Sequence, residues 1–321
     1  MFSTSTIYKC HKLLFASLLL SAGATLTGAA PVPSSGVQTP DAEDAAAPIQ
    51  LSTIDFPASL STAAQGINAA GDIVGIYVDA SRKQHGFLLT KGTFTSIDYP
   101  GAVATDARGI NSRGDIVGAF VNAPGGPANT HGYLLSRGTF TEVQYPGSLG
   151  SIAQRILPNG NIYGCVHDKD TMTSMHAFVR APEGFSVLDL PASMNNGATP
   201  DGATVVGLYT DMTGKTHGFT NEEGEFKSFD VPGSTSTQAW DINPQENIVG
   251  DFSDSAGKSH GFLRTDDGYT TIDFPAAAQT LARSINRRGD IVGRYTDAQG
   301  KGHGFLRAKP RATSEATSTG N

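Results

Sequence analysis

The 321-residue chain has little of what usually staples or strongly charges a protein: two cysteines, one tryptophan and 17% charged residues. Cys10 falls in an N-terminal apolar run that reads as a cleaved signal, so Cys165 is left alone and the mature chain can form no internal disulfide. An exported chain without staples needs a large core, which a closed domain of about 260 residues can supply. The lone thiol reads as a small buried hydrophobe on a strand, with a nucleophile close to His167 as the alternative. Positive charge is also scarce. A formal charge of −7, a pI near 5.6 and no basic stripe argue against nucleic acid and against anionic membranes as partners. No Gly-rich phosphate loop opens a helix, no closely spaced Cys/His box suggests a metal, and no Gly-x-Ser-x-Gly elbow presents a serine. Neither cofactor nor metal is therefore expected. Asn-x-Ser/Thr sequons are missing, so glycosylation gives no argument for a eukaryotic host. Helical periodicity is absent from the body of the chain, where 38 Gly and 17 Pro would interrupt any helix.

What the chain has instead is a unit of about 43 residues, repeated six times between Leu51 and Ala308. Four landmarks recur. In the second copy they are Ser96 to Pro100, Ala107 to Asn111 (Ala-x-x-Ile-Asn), Gly114 to Phe120 (Gly-Asp-Ile-Val-Gly) and His131 to Leu135 (His-Gly-aromatic-Leu). The final copy repeats them at Thr271 to Pro275, Ala282 to Asn286, Gly289 to Tyr295 and His303 to Leu306. The third and fourth copies are degenerate, at Gln154 to Leu157 and Met194 to Thr199. Each landmark is a short β-branched or aromatic run bounded by Gly, Pro, Asn or Asp, hence a strand between tight turns. Four strands per copy and this period favour a propeller blade over the turn of a solenoid.

The offset of the ends supports closure. The repeats begin inside a unit at Leu51 to Phe56 and stop after His303 to Ala308 with that same strand missing. Pairing the N-terminal strand with the last blade would complete the ring and remove its open edges. The expectation is an all-β, six-bladed β-propeller of four-stranded blades. Its inner strands fall near 62–68, 105–111, 151–157, 195–199, 237–243 and 280–286.

Lys9 and Lys12 precede the apolar run Leu13 to Leu20, and small residues follow at Ala22 to Ala24 and Gly28 to Ala30. The organisation expected is a signal peptide over 1–30, a disordered leader over 31–49, the propeller over 50–308 and a polar, disordered tail over 309–321. The chain is expected to be secreted or periplasmic, off the membrane once the signal is removed, and monomeric.

These residues resemble the bacterial extracellular repeat family named for its His-Ala-Phe motif, whose units carry Ile-Asn, Gly-x-Ile-Val-Gly and His-Gly/Ala-Phe. The third copy has the literal His176-Ala177-Phe178. The resemblance covers nearly all of 51–308 and implies an exported propeller. It implies no particular activity, so no catalytic residue is carried over from it.

Residues shared by all copies read as scaffold. His85, His131, His176, His217, His260 and His303 occur once per blade and are expected to satisfy repeated turns around the ring. Asp55, Asp98, Asp189, Asp230 and Asp273, with Gln144 in the remaining copy, read as turn acceptors before proline. Asn68, Asn111, Asn243 and Asn286 read as openers of tight turns. Function should lie where copies disagree. The position after the repeated Ala reads Gln65, Arg108, Gln154, Asn196, Trp240 and Arg283; the next reads Gly66, Gly109, Arg155, Gly197, Asp241 and Ser284. The position after Ile-Val-Gly or its equivalent reads Ile76, Ala119, Cys165, Leu208, Asp251 and Arg294.

Strand alternation forbids all three columns from facing one pocket. The site expected is an axial funnel on the face where chains enter the inner strands (Gly101 to Asp106) and where second and third strands are joined (Asp79 to Gln84). Arg108, Trp240, Arg155, Asp251 and Arg294 are the candidate ligand-binding residues, with Asp241 and Arg283 as candidate catalytic ones. An ion pair between Asp251 and Arg294 of adjacent blades is the alternative for those two. Three function classes follow. In a binder, Trp240 stacks on a small-molecule or sugar-like ring and Arg108 and Arg283 hold its oxygens. A cofactor-independent isomerase, lyase or pericyclase, such as a hetero-Diels-Alderase, would hold its substrate in a reactive shape. A glycoside hydrolase would pair Asp241 with Asp106 or Asp251.

Overall fold

The computed structural model describes residues 49–169 and 175–310, apart from the side chains of 188–191. The signal, leader and tail expected at the two ends lie outside the described residues, except for the short stretches next to the ring. Six four-stranded antiparallel sheets follow one another, each ordered from an inner to an outer strand. They form a six-bladed propeller. Among the described residues the helical piece is a three-residue 3-10 turn, Pro127–Asn129, and no helix is long and apolar enough to cross a membrane.

Five blades are built from consecutive strands. The last is closed by the N-terminal strand Gln50–Ile54, which pairs with Gly302–Ala308 in the register Gln50 to Ala308 through Ile54 to Gly304. The inner strands are Ser61–Ile67, Ala104–Ile110, Gly150–Ile156, Ser193–Ala198, Ser236–Ile242 and Gln279–Ile285. Most lie about one residue ahead of the sequence expectation, because the Asn of Ile-Asn belongs to the turn.

Apolar residues are divided among the seams between blades. The aromatic of each His-Gly/Ala-aromatic landmark (Phe87, Tyr133, Phe178, Phe219, Phe262 and Phe305) is fully buried. At the seam of blades 6 and 1, Phe87 joins Ile54, Ala64, Tyr77 and Val292 in one cluster. The second strand of each blade carries a glycine facing that ring: a Cβ on Gly250 would stand 2.0 Å from the Gln238 carbonyl and 2.6 Å from Phe262. The aromatics before proline lock blades together by stacking, Phe56 on Tyr77 at 3.6 Å, Tyr99 on Phe120 at 3.6 Å and Phe274 on Tyr295 at 3.8 Å.

Every inner strand is broken at the same place. Pairing skips one residue between Ala64 and Gly66, and likewise between Ala107 and Gly109, Ala153 and Arg155, Asn195 and Gly197, Ala239 and Asp241, and Ala282 and Ser284. The skipped residues are the variable column Gln65, Arg108, Gln154, Asn196, Trp240 and Arg283. A bulge bends the strand and releases backbone groups from the ladder. The column after it approaches the next blade so closely that a Cβ on Gly66 would meet the Arg108 carbonyl oxygen at 2.7 Å.

Candidate functional site

Six matching turns sit at the end of the inner strands, and in four of them an asparagine binds blade to blade. Asn68 Oδ1 accepts from the backbone N–H groups of Ala70, Gly71 and Asp72, closing its own turn. Its Nδ2 donates to the Asn111 carbonyl of the next blade at 3.3 Å. Asn111 reaches Leu157, Asn243 reaches Asn286, and Asn286 reaches Asn68, each at 3.3 Å. These asparagines therefore open a turn, as expected, and also stitch the ring. Leu157 and Thr199 hold the same position in blades 3 and 4 and have no amide to donate.

The bulges free carbonyls toward the axis, and one side chain collects them. Arg155 Nη1 donates to the carbonyls of Gln65 at 3.1 Å, Arg108 at 2.7 Å and Gln154 at 3.3 Å, while Nη2 donates to that of Arg283 at 2.5 Å. Its Nε lies 3.3 Å from Asp241 Oδ1. The guanidinium thus touches five of six blades, which only the axis permits. Asp241 in turn accepts from Ser284 Oγ at 2.5 Å, Ile285 N at 3.1 Å and Ile242 N at 3.0 Å. Arg155 and Asp241 form a plug across the channel.

Below the plug, on the face of the Asn turns, is a cavity of about 440 Å³. Its floor is Arg155, Asp241 and Ser284, and its wall is a ring of Ile67, Ile110, Ile156, Ile242 and Ile285, interrupted where blade 4 has Ala198. Pro158, Pro200, Pro244 and Arg287 edge the mouth. This cavity lies on the face opposite the one expected from sequence, which was chosen from the loops that enter the inner strands; the closed Asn turns at the other ends of those strands surround it.

Of the seven candidate residues, only Arg155 and Asp241 line this cavity. The other five occupy its far side or the space between blades. Trp240 Nε1 donates to Asp251 Oδ1 at 2.7 Å, and the Arg283 guanidinium lies over the Trp240 ring at 3.8 Å with Nη1 3.4 Å from Asp251. The inter-blade ion pair of Asp251 is therefore made with Arg283; Arg294 acts on that carboxylate as a nearby charge. Burial raises the pKa of Asp251 despite the two arginines and the indole N–H. Arg108 binds Asp106 at 2.6 Å and Gln154 at 3.2 Å, and Gln84 also donates to Asp106.

Cys165 is fully buried among Met175, Met194 and Leu208, and burial pushes its thiol up to about 12. That makes it a core residue and a poor nucleophile. The repeated histidines lie on the outer part of the blades. His85 Nδ1 is 2.6 Å from Asp98 and its Nε2 is 3.2 Å from Asp79. His217, His260 and His303 repeat the arrangement with Asp230 and Asp211, Asp273 and Asp254, and Asp55 and Asp297. The aspartates before proline are thus histidine acceptors rather than turn acceptors. The Asp189 side chain lies outside the described residues.

No family model and no curated protein matches the chain. Solved structures do. A protein of unknown function from Dyadobacter fermentans aligns with TM-score 0.52 and 11% identity over 80% of this chain and 97% of that one. TolB from Acinetobacter baumannii aligns with TM-score 0.51 and 12% identity over 78% of this chain, which spans 64% of TolB. A gluconolactonase from Xanthomonas campestris aligns with TM-score 0.50 and 13% identity over 83% of this chain and 99% of that one. At these identities the likeness is one of fold, and propellers of this shape carry unrelated activities.

The isoleucine ring and its gap at Ala198 were hidden in sequence by their regularity, since a residue shared by most copies reads as core. Its signal was the one small residue in an otherwise isoleucine column.

Proposed function

We propose that the protein is an exported binding propeller of the His-Ala/Gly-Phe repeat kind, which holds a small, largely apolar molecule in the bowl formed by the Asn-turn face. The cavity of about 440 Å³ with its isoleucine wall carries this reading. Its size suits a small-molecule ligand, and apolar walls with few polar groups are the usual composition of such sites. The floor has little charge to offer, because Arg155 and Asp241 neutralise each other and spend most of their hydrogen bonds on the ring. Arg287 leaves one cation at the mouth, suited to a ligand whose single acidic or hydroxyl group faces solvent. A sugar-like ligand is less well served, since no aromatic side chain lines the bowl.

The catalytic readings gain less support from the geometry. A glycosidase needs carboxyl groups free to give protons or attack. Asp241 is held by three hydrogen-bond donors and the Arg155 ion pair, Asp106 by Arg108 and Gln84, and Asp251 by Trp240 and Arg283. The test is native mass spectrometry of the mature chain against small neutral and monoacidic compounds, compared with the variant Ala69→Trp/Ser112→Trp. Both positions are exposed at the turn face and line the cavity, so the variant narrows the mouth without touching the core. Retention by the natural chain and its loss in the variant is the expected result. Equal retention by both would move the site elsewhere.

A further inference from the structure

A groove of about 450 Å³ lies between blades 4 and 5 and has Ile242 in common with the wall of the bowl. The matching groove between blades 1 and 2 has Leu88, Gly114 and Leu135 where this one has Thr220, Glu246 and Arg264. Glu246 is the least expected of the three. Its backbone is left-handed at φ 57°, and the other five blades have Gly71, Gly114, Gly160, Gly202 and Gly289 in the same turn at φ 79 to 97°. A side chain strains that conformation. Among the described residues the Glu246 carboxylate makes no hydrogen bond and no ion pair, so the ring gains no polar contact from it. Backbone strain that no such contact explains points to function. Arg264 is likewise without a carboxylate: its guanidinium lies over the Phe229 ring at 4.6 Å and donates to no acceptor among the described residues. Tyr269 stands opposite Arg264 in the strand register and is 37% exposed, where blades 1 to 4 have Phe94, Phe140, Phe185 and Phe226.

We propose that this groove binds a neutral sugar. The planar donors of Arg264 take two neighbouring hydroxyl oxygens, the Glu246 carboxylate accepts from other hydroxyls, and the C–H face of the sugar lies on the Tyr269 ring. Thr220 and Thr265 add hydroxyls that both donate and accept. The choice of a neutral ligand follows from the charges. Lys227 and Arg264 line the groove with Glu222, Glu246 and Asp266, and Lys227 already lies 3.8 Å from Glu222. A charged ligand would gain at one of these groups and lose at another, whereas a polyol uses donors and acceptors together. The volume suits a mono- or disaccharide. The groove needs neither the bowl nor its ligand, and neither proposal rests on the other.

The experiment is surface plasmon resonance of the mature chain over a panel of immobilised neutral mono- and disaccharides. Saturable binding to at least one of them is expected. Glu246→Gly gives blade 5 the residue of the other five and should weaken that binding at least tenfold, at a Tm no lower than that of the natural chain. Arg264→Leu, which installs the residue of blades 1 and 2, should also weaken it at least tenfold. Ala69→Trp/Ser112→Trp, which narrows the bowl, should leave sugar binding unchanged, so that loss of the bowl's ligand and loss of the sugar are separable. No binding across the panel, full affinity in Glu246→Gly or in Arg264→Leu, or loss of the sugar in the bowl variant would each overturn the proposal.

Discussion

The seam between blades 6 and 1 and the seam between blades 3 and 4 are built from the same repeat, but among the described residues they are joined differently. The first has the asparagine stitch from Asn286 to Asn68, the Phe56 stack on Tyr77 and one continuous apolar cluster. At the second, Leu157 replaces the stitching asparagine and the apolar residues fall into two smaller groups, around Cys165 and around Tyr163. The bowl borders the second seam through Ala198, and a cleft of about 360 Å³ opens there beside Asn195. Loss of repeat regularity has made space there. Regular seams hold the ring, and the irregular one leaves space in it.

Blades from both sides of the ring meet at Arg155, a blade 3 residue gripped by carbonyls of blades 1, 2 and 6 and by Asp241 of blade 5. Removing it should have the largest effect on the comparison. Arg155→Met leaves Asp241 without its cation and is expected to cost about 3–5 kcal/mol in urea unfolding. Arg155→Gly/Asp241→Gly gives blades 3 and 5 the glycine of blades 1, 2 and 4 and should recover much of that loss. A single variant as stable as the natural chain would show that the plug does not join the halves.

The stitches should matter less, and unequally. Asn286→Ala removes the bond to Asn68 and the acceptor for the Arg288 and Asp290 N–H groups. About 2 kcal/mol of stability should go with them. Thr199→Ala, at the same position on the irregular side, loses bonds within its own turn only, to Asp201 and from Thr204 N, and should cost about 1 kcal/mol. Equal losses in thermal or urea unfolding would erase the distinction between the seams.

The smallest effect expected is with acid. Burial raises the pKa of Asp115 and Asp290, but hydrogen bonds from Ser136, Asn111 and Arg113, and from Asn286, Lys309 N and Arg288, outweigh it and leave both lowered. Asp79 is lowered to about 2, chiefly by Ser81 and the Lys83 N–H. Groups lowered on folding contribute stability above the usual carboxylate range and lose it as pH falls through their folded values. The window here runs from about 4 down to about 2. Asp115 and Asp290 sit in blades 2 and 6, where blades 3 to 5 have Asn161, Ala203 and Asn247. Asp201 and Asp211 of blade 4 and Asp254 of blade 5 are lowered as well, so acid should loosen blades around the whole ring. Asp290→Asn should flatten the fall in Tm, and an unchanged fall would remove Asp290 from the account.

Much of the fold was legible because the repeat shows its own period, its four strand landmarks and the offset of its ends. The site was less so. Alternation along an inner strand predicts which columns share a face, and a bulge after Ala64 or its equivalents defeats that reckoning while leaving no more than a glycine in three of six copies. The convergence of carbonyls on Arg155 is a property of the closed ring and has no local sequence signature. Asn195 is the opposite case. Its departure from an alanine column can be seen in the aligned copies, while its bond to the Phe178 carbonyl can be seen only in the fold.

The pairing of Gln50–Ile54 with Gly302–Ala308 also has a consequence in time. Partners such as Ser52 and Leu306 are separated by 254 positions, so the ring's last ladder forms only when almost the whole chain is present. Closing so long a loop is entropically slow relative to folding a single blade from neighbouring hairpins. Blades 1 to 5 can each assemble as their strands appear, but the sixth waits. Until it closes, Phe87 and Val292 lack Ile54 as a cover, the cluster of Phe305 lacks Leu51, and the strand edge at Gly302–Ala308 stays open to other chains. Joining the two ends by a short linker and reopening the chain between blades 1 and 2 would move that wait to another seam.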